Sequence, residues 1–420
     1  MADVFNTAVH HLLSDAADKD EAKESSFYSL SASQNVPVSI SDKWFYPEEI
    51  ANDLKDIPLA ESVKHETLNS AWEYTRCAVP FYTNQERYIA LVRLNVIAVI
   101  VEFQGDLVDI SSGDDICGYS VSKLLDTLFE DGSTNVAMGR EYRTFLLFAA
   151  EKSSERRHSV LFNRYINSMA RSAEDWQRIR DADGLVRFTI MAALACNNLD
   201  SINYTDGQLA ILSELAVCMY DAVAYYKHRA EGESHNTFAY GGNDLRIETF
   251  RKYREILWAL DTSWQYQPEG IVVANTIRCI GGPIHMTMRR YRFVEDGLQV
   301  CKPETIEIVN QACDNVKLWN RIGTMERPII GLDRYHDVIA REKTLLIKGL
   351  AGILESERHC NDCVFRQTYD NKVTGEFSGI TLCSKCRSAW EEYIGSIAIR
   401  TAAVFPEITS VLENSCNTST

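Results

Sequence analysis

An all-α fold is what this sequence predicts, and three observations carry the expectation. Only 9 prolines occur in 420 residues, and long stretches have none, which suits helices better than many short strands. Apolar residues recur at helical spacing through most of the chain. Hydrophobic residues make up 45% and charged residues 24%, enough apolar surface for a large buried core.

Taken in order, residues 1–43 are rich in Ser, Asp, Glu and Lys and read as a flexible N-terminal arm, ending where aromatic density rises at Trp44-Phe45-Tyr46-Pro47. Helical periodicity then places helices over 84–109, 120–129, 135–152, 156–170, 173–197, 206–231, 244–264, 283–296, 302–320 and 332–356. The domain reading is therefore a helical body over 44–357, a four-cysteine insert over 358–387, and a C-terminal helix from about 388 with a tail to 420. No fixed-period repeat is present. The net charge of −16 argues against a nucleic-acid-binding role, which needs a basic face. The N-terminus has no apolar core of signal-peptide type and no later run approaches a membrane span, so the expected location is cytoplasmic and not membrane-spanning.

The sharpest local signal is the pair of knuckles Cys360-Asn361-Asp362-Cys363 and Cys383-Ser384-Lys385-Cys386, separated by nineteen residues. Two Cys-x-x-Cys units can close around one tetrahedral Zn²⁺, and four thiolates leave no open position, so the expected metal is structural. The alternative is two reactive or disulfide-linked thiol pairs. His359 is a bystander, and Cys77, Cys117, Cys196, Cys218, Cys279, Cys301 and Cys313 read as inert thiols.

Candidate chemistry lies elsewhere. Glu102, Asp106 and Asp109 follow an apolar run at i, i+4, i+7 spacing, with Asn95 behind them, which on a continuous helix forms one acidic stripe. Mg²⁺ bridging such carboxylates to a substrate diphosphate would relieve their repulsion; a solvated helix end is the other reading. In the 208–231 helix, Leu212, Leu215, Met219, Val223 and Tyr226 mark the core face. Tyr220, Ala224, His228 and Glu231 form a neighbouring stripe bordered by Asp221 and Lys227, either a site for metal or phosphate or the solvent face. Arginines concentrate at Arg178 and Arg180 and again at Arg289, Arg290 and Arg292, beside Tyr291, and guanidinium forks suit diphosphate oxygens. Gly184 interrupts a helical pattern and predicts a break.

The order of these parts follows class I terpene cyclases. The stretches Tyr82-Thr83-Asn84-Gln85-Glu86-Arg87-Tyr88, Glu102-Phe103-Gln104-Gly105-Asp106-Leu107-Val108-Asp109, the 220–233 segment and Gly281-Gly282-Pro283-Ile284-His285-Met286 resemble the fungal sesquiterpene cyclases of abscisic acid biosynthesis, the α-ionylideneethane synthases. That resemblance runs from about Trp44 to Pro406. It implies a class I cyclase bundle, farnesyl diphosphate as substrate, Mg²⁺ as catalytic cofactor and no usual aspartate-rich motif. It also implies roles: Glu102, Asp106 and Asp109 toward Mg²⁺, and Arg180, Lys227, Arg289, Arg290 and Tyr291 toward diphosphate. At the Asn, Ser and Glu positions of the second metal motif stand Tyr220, Ala224 and His228, which leaves Asp221, His228 and Glu231 as the polar groups there. Phe103, Phe188, Tyr220 and Trp258 are candidate aromatic walls for a carbocation, and His228, His285 or the leaving diphosphate are candidate bases. The competing functions are a chain-elongating prenyltransferase of the same fold and a non-catalytic zinc-containing interaction protein.

Overall fold

The computed structural model describes residues 38–412 apart from 42–43, 109, 111–113, 155–158, 171, 232–234, 239–242, 285–331, 356–359, 361 and 366–379. The chain enters through a hairpin of β1 (Val38–Ser41) and β2 (Trp44–Pro47), paired from Val38↔Pro47 to Ser41↔Trp44. The segment expected to be a loose arm therefore carries a paired strand over Val38–Ser41. The Phe45 backbone N–H donates to Asn69 Oδ1 at 2.8 Å, tying the hairpin to helix α1 (Glu61–Ala78).

Helix α2 (Gln85–Phe103) starts where Asn84 caps it, its side chain accepting from the Arg87 backbone N–H. Two further short strands, β3 (Asp115–Ile116) and β4 (Tyr119–Ser120), lead into α3 (Val121–Leu128). Then follow α4 (Gly132–Lys152), capped by Asp131, and α5 (Val160–Asn167), capped by Ser159. Helices α6 (Ala173–Asp183) and α7 (Val186–Cys196) are two halves of what periodicity joins into one. Leu185 takes φ +54 between them, so the break foreseen at Gly184 is present. Helix α8 (Asp206–Glu231), α9 (Asn243–Ser263) and α10 (Pro268–Ile280) complete the main body.

Every residue of α7 is buried, Arg187 and Thr189 among a run of apolar side chains, so the helix passes through the core. Helices α2 and α8 pack beside it with Val92, Leu94, Ile97, Ile100, Leu212, Leu215 and Ala216 fully inside. One helix among the described residues, over Asp206–Tyr225, is long and apolar enough to cross a membrane, which the sequence reading did not anticipate. With 78% of that window buried in protein, it is the core helix of the bundle.

Several expected boundaries move. The 84–109 helix stops at Phe103, because Gln104 leaves helical geometry at φ −138, and Gly105–Leu107 forms a separate 3-10 turn. The 332–356 helix divides into α11 (Leu332–Ile339), a 3-10 turn over Ala340–Lys343 and α12 (Leu350–Glu355). Gly349, at φ +81, turns the chain into α12. After the hairpin β5 (Val364–Phe365) and β6 (Ile380–Thr381), the last helices are α13 (Ser384–Gly395) and α14 (Ile397–Val404). Helix α13 starts before the expected 388 and takes Cys386 into its first turn. The expected helices over 283–296, beyond Ile284, and over 302–320 lie outside the described residues.

Gly105 is the tightest of these junctions. A Cβ there would stand 2.6 Å from the Ala150 carbonyl oxygen, and a backbone atom cannot rotate away. Gly105→Ala should therefore cost about 1–3 kcal/mol of stability through forced separation of the α2 and α4 ends; urea unfolding of the two proteins measures it, and an unchanged midpoint would contradict the packing.

Candidate functional site

The break between α6 and α7 organises the site. Two interleaved i,i+3 ion pairs close the last turns of α6: Arg178 with Asp181 at 3.5 Å and Arg180 with Asp183 at 2.8 Å. Each pair looks outward to different helices.

The first pair supports the break itself. Asp181 accepts the Arg187 backbone N–H at 3.0 Å and its Nε at 2.5 Å, so a carboxylate from the preceding helix caps the start of α7 where Leu185 offers no side-chain cap. Arg178 donates to both oxygens of Glu141 on α4. Burial pushes the Glu141 carboxyl upward, against the pull of Arg178 and Arg187.

The second pair faces α8. Arg180, 4% exposed, donates from Nη2 to Asp221 Oδ1 at 2.6 Å and from Nε to Oδ2 at 3.2 Å. Asp183 also accepts Lys152 Nζ at 2.5 Å and the Tyr165 hydroxyl at 2.8 Å. Burial alone would raise the Asp183 carboxyl, but Lys152, His235 and Arg180 outweigh it and hold the group well below the usual carboxylate range. Asp221 Oδ2 further accepts the Thr237 backbone N–H at 2.8 Å and the Thr237 hydroxyl at 2.7 Å. Thr237 Oγ1 in turn accepts Trp176 Nε1 at 3.0 Å. Asn236 donates to the Asp221 carbonyl at 2.8 Å and lies 2.9 Å from His228 Nδ1. The rings of Tyr220 and His235 flank His228 at 5.7 and 5.9 Å, and the Arg180 guanidinium lies 5.9 Å from the Tyr220 centroid.

This geometry revises the ligand expectations. Asp221 is engaged by a bidentate arginine and by Thr237, so in this arrangement it positions Arg180. Arg180 is paired with two carboxylates and would have to exchange one of them to reach a diphosphate. The acidic stripe is not one helical face: half-buried Glu102 ends α2, exposed Asp106 sits on the separate 3-10 turn, and Asp109 is outside the described residues. Asn95 donates to Thr75 Oγ1 at 2.7 Å inside the core and takes no part in it.

The end of α2 and the Arg180 cluster nonetheless meet the same helix end. Ser153, just past the last residue of α4, donates its hydroxyl to the Val101 carbonyl, and its neighbour Lys152 reaches Asp183. Trp258, expected as a pocket wall, is 73% exposed and cannot line a dry cavity, whereas Phe188 is fully buried against Phe129 and Tyr142. The side chains of Lys227 and Glu231, and residues His285, Arg289, Arg290 and Tyr291, lie outside the described set. Sequence reasoning missed Lys152, Tyr165, Trp176, Asn236 and Thr237; the i,i+3 spacing of Arg180 and Asp183 beside a glycine break is the one local signal that pointed there.

The four cysteines do converge: the Sγ atoms of Cys360, Cys363, Cys383 and Cys386 lie within 4.8 Å of one another. The Cys360 and Cys383 sulfurs are 3.6 Å apart, and Cys363 Sγ accepts the Cys383 backbone N–H at 3.3 Å. The Cys386 backbone N–H is the main influence drawing the Cys383 thiol down to about 7. Such a cluster could hold a metal ion.

A family model described as alpha-ionylideneethane synthase aba3 matches residues 42–407. The chain is 45% identical to alpha-ionylideneethane synthase aba3 of Botryotinia fuckeliana (strain B05.10) over 398 residues, 94% of this chain and 90% of that protein. It is 45% identical to alpha-ionylideneethane synthase abl3 of Leptosphaeria maculans, covering 89% of this chain and 88% of that one. Against alpha-ionylideneethane synthase abl3 of Pyricularia oryzae (strain Y34) identity is 41%, over 89% and 84%. With the helical body and most of both chains matched, this protein belongs to the alpha-ionylideneethane synthase family.

Proposed function

We propose that this chain is a sesquiterpene cyclase that ionises farnesyl diphosphate with Mg²⁺ and closes the product to a hydrocarbon, α-ionylideneethane, for abscisic acid biosynthesis. The observation that carries the reading is the buried Arg180–Asp221 pair at the helix break, in a chain whose family is named for that product.

The reaction asks three things of the protein. The C1–O bond breaks heterolytically, giving diphosphate and an allylic cation, and net loss of one proton then yields the hydrocarbon with no oxidant. Arg180 is the chain's own electrophile for the departing charge: Asp221, Thr237 and Trp176 hold the guanidinium in one orientation, and diphosphate oxygens replace a carboxylate partner on binding. Tyr220, half-buried beside Arg180 and His228, offers an aromatic face and no strong nucleophile. His228, oriented by Asn236 at Nδ1, is the candidate to hold the proton that is lost.

Glu102 fits a hard cation on physical grounds. It is a carboxylate in the last turn of α2, where the negative end of the helix dipole disfavours it and a cation compensates. Asp106 follows on the adjoining turn, and Asp109 completes the set in the proposal. Mg²⁺ bound there supplies positive charge to the leaving diphosphate.

Incubation with farnesyl diphosphate and MgCl₂, followed by mass spectrometry of the organic phase, should give a C15 hydrocarbon. A longer prenyl diphosphate would mean chain elongation, and no turnover of any prenyl diphosphate would sink the cyclase reading. Arg180→Lys should lower kcat by about 100-fold and Asp221→Asn by about 10-fold, since the first removes a fork donor and the second only its alignment.

The depressed Asp183 carboxyl also sets a pH dependence. Because its folded value lies below its unfolded one of about 3.9, its stabilisation is complete above roughly pH 5 and is lost as pH falls through that unfolded value and below. Asp183→Asn should therefore cost about 3–5 kcal/mol at pH 7 and flatten the acid limb of the stability curve, read by denaturant unfolding from pH 7 to pH 3. An acid limb as steep as that of the unsubstituted protein would refute the assignment.

A further inference from the structure

Outside the Arg180 cluster, a further buried polar constellation is centred on Glu214, 3% exposed on α8. Its carboxylate accepts the Tyr253 hydroxyl from α9, the Tyr393 hydroxyl from α13 at 2.7 Å, and Arg400 from α14 at 2.6 and 2.8 Å. Arg400 also stacks on the Tyr393 ring, 4.0 Å from its centroid. Four donors on one buried carboxylate fix α13 and α14 against α8.

Helix α13 makes a second contact: Trp390, buried, donates Nε1 to the Met169 carbonyl at 3.3 Å, in the turn that precedes α6. One helix therefore touches both elements that the Arg180–Asp221 pair spans. Along α8, Glu214 and Asp221 are seven residues apart and share a face.

Helix α13 begins at the second cysteine knuckle. The thiol dimensions suit a mononuclear site: Zn–S bonds of about 2.3 Å in a tetrahedron put sulfurs about 3.8 Å apart. The observed 3.6 Å between Cys360 and Cys383, across the two knuckles, is close to that and far from a disulfide bond. The 4.8 Å limit on all four sulfurs leaves room for one ion and not for a cluster of several irons with sulfide. The Cys383 N–H to Cys363 Sγ bond joins the two knuckles.

We propose that Cys360, Cys363, Cys383 and Cys386 bind one Zn²⁺ that acts as a clamp on the candidate site: by fixing the start of α13 it holds Trp390 on the approach to α6 and Tyr393 and Arg400 on Glu214 of α8, and so sets the α6–α8 spacing that the Arg180–Asp221 pair spans. The clamp rests on the helix geometry and stands whether or not the cyclase reading does, because its readouts need no turnover.

The test is metal analysis and hydrogen exchange on the full-length protein. Plasma mass spectrometry should find about one zinc per chain in the purified protein and a loss of most of it in Cys383→Ser. Removal of zinc with a chelator under reducing conditions should speed amide exchange about threefold or more in both 384–395 and 214–221, and zinc return should restore both. Tyr393→Phe provides a variant that keeps its zinc yet exchanges faster over 214–221. Folded protein with no stoichiometric metal, or with iron in place of zinc, overturns the metal assignment. Faster exchange confined to 360–395, with 214–221 unchanged, overturns the clamp and leaves a local staple.

Discussion

The constraint on which the structure depends is the charge arithmetic of α6. Within six residues, Arg178, Arg180, Asp181 and Asp183 place two cations and two carboxylates on a buried helix end. Leaving any one of them unpaired inside protein costs several kcal/mol. The chain resolves this by sharing. Glu141 and Arg187 complete one side, Lys152 and Asp221 the other, so each cluster is neutral and α4, α7 and α8 are all bound to one turn. The same arrangement lets the helix break at Gly184–Leu185, because Asp181 caps the new helix from the old one.

Helix α8 is the other rail. Glu214, Asp221 and His228 recur every seven residues, and each is engaged by a different neighbour: the C-terminal helices, α6, and Asn236. A core helix with three buried polar anchors is fixed in rotation and in height, which apolar packing alone specifies poorly. The surrounding leucines and alanines supply the burial, and the polar anchors supply the register.

Much of this was legible in the sequence, for reasons that differ by element. Helix α8 was read at its observed bounds because its apolar face is continuous over seven turns. Helix α1 was missed because it buries Thr67, Asn69, Ser70 and Thr75, which blur the apolar period. Helix α10 was missed because Pro268 and Gly270 look like a loop, although proline fits the first turn and Gly270 makes room for Trp264. The four cysteines were found outright, since paired knuckles are a short-range signal. Arg180 was also singled out, but the contacts that build its cluster join residues 31 to 61 positions apart, Lys152 to Asp183, Arg180 to Asp221 and Trp176 to Thr237, a distance at which residue spacing carries no information. The acidic stripe failed for a local reason: periodicity cannot register a helix that ends at Phe103 and resumes as a tighter turn at Gly105.

The neutrality of the Arg180 cluster has a consequence for chemistry. Two carboxylates already balance Arg180 and Lys152, so a polyanionic diphosphate arriving there meets preorganised donors but no net positive charge. Additional cations must enter with it. In the proposed reaction these are Mg²⁺ at Glu102 and its neighbours together with Lys227, Arg289 and Arg290, and the demand follows from the pairing, independent of any motif. In the proposed reaction Asp221 keeps its fork on Arg180 while phosphate oxygens take the place of Asp183, which keeps Lys152 and Tyr165, so the exchange leaves no bare charge behind. A partner swap of this kind in the proposed reaction brings the diphosphate to the end of α6 with the α6–α8 contact kept, so that the transition-state charge is met by donors already in position.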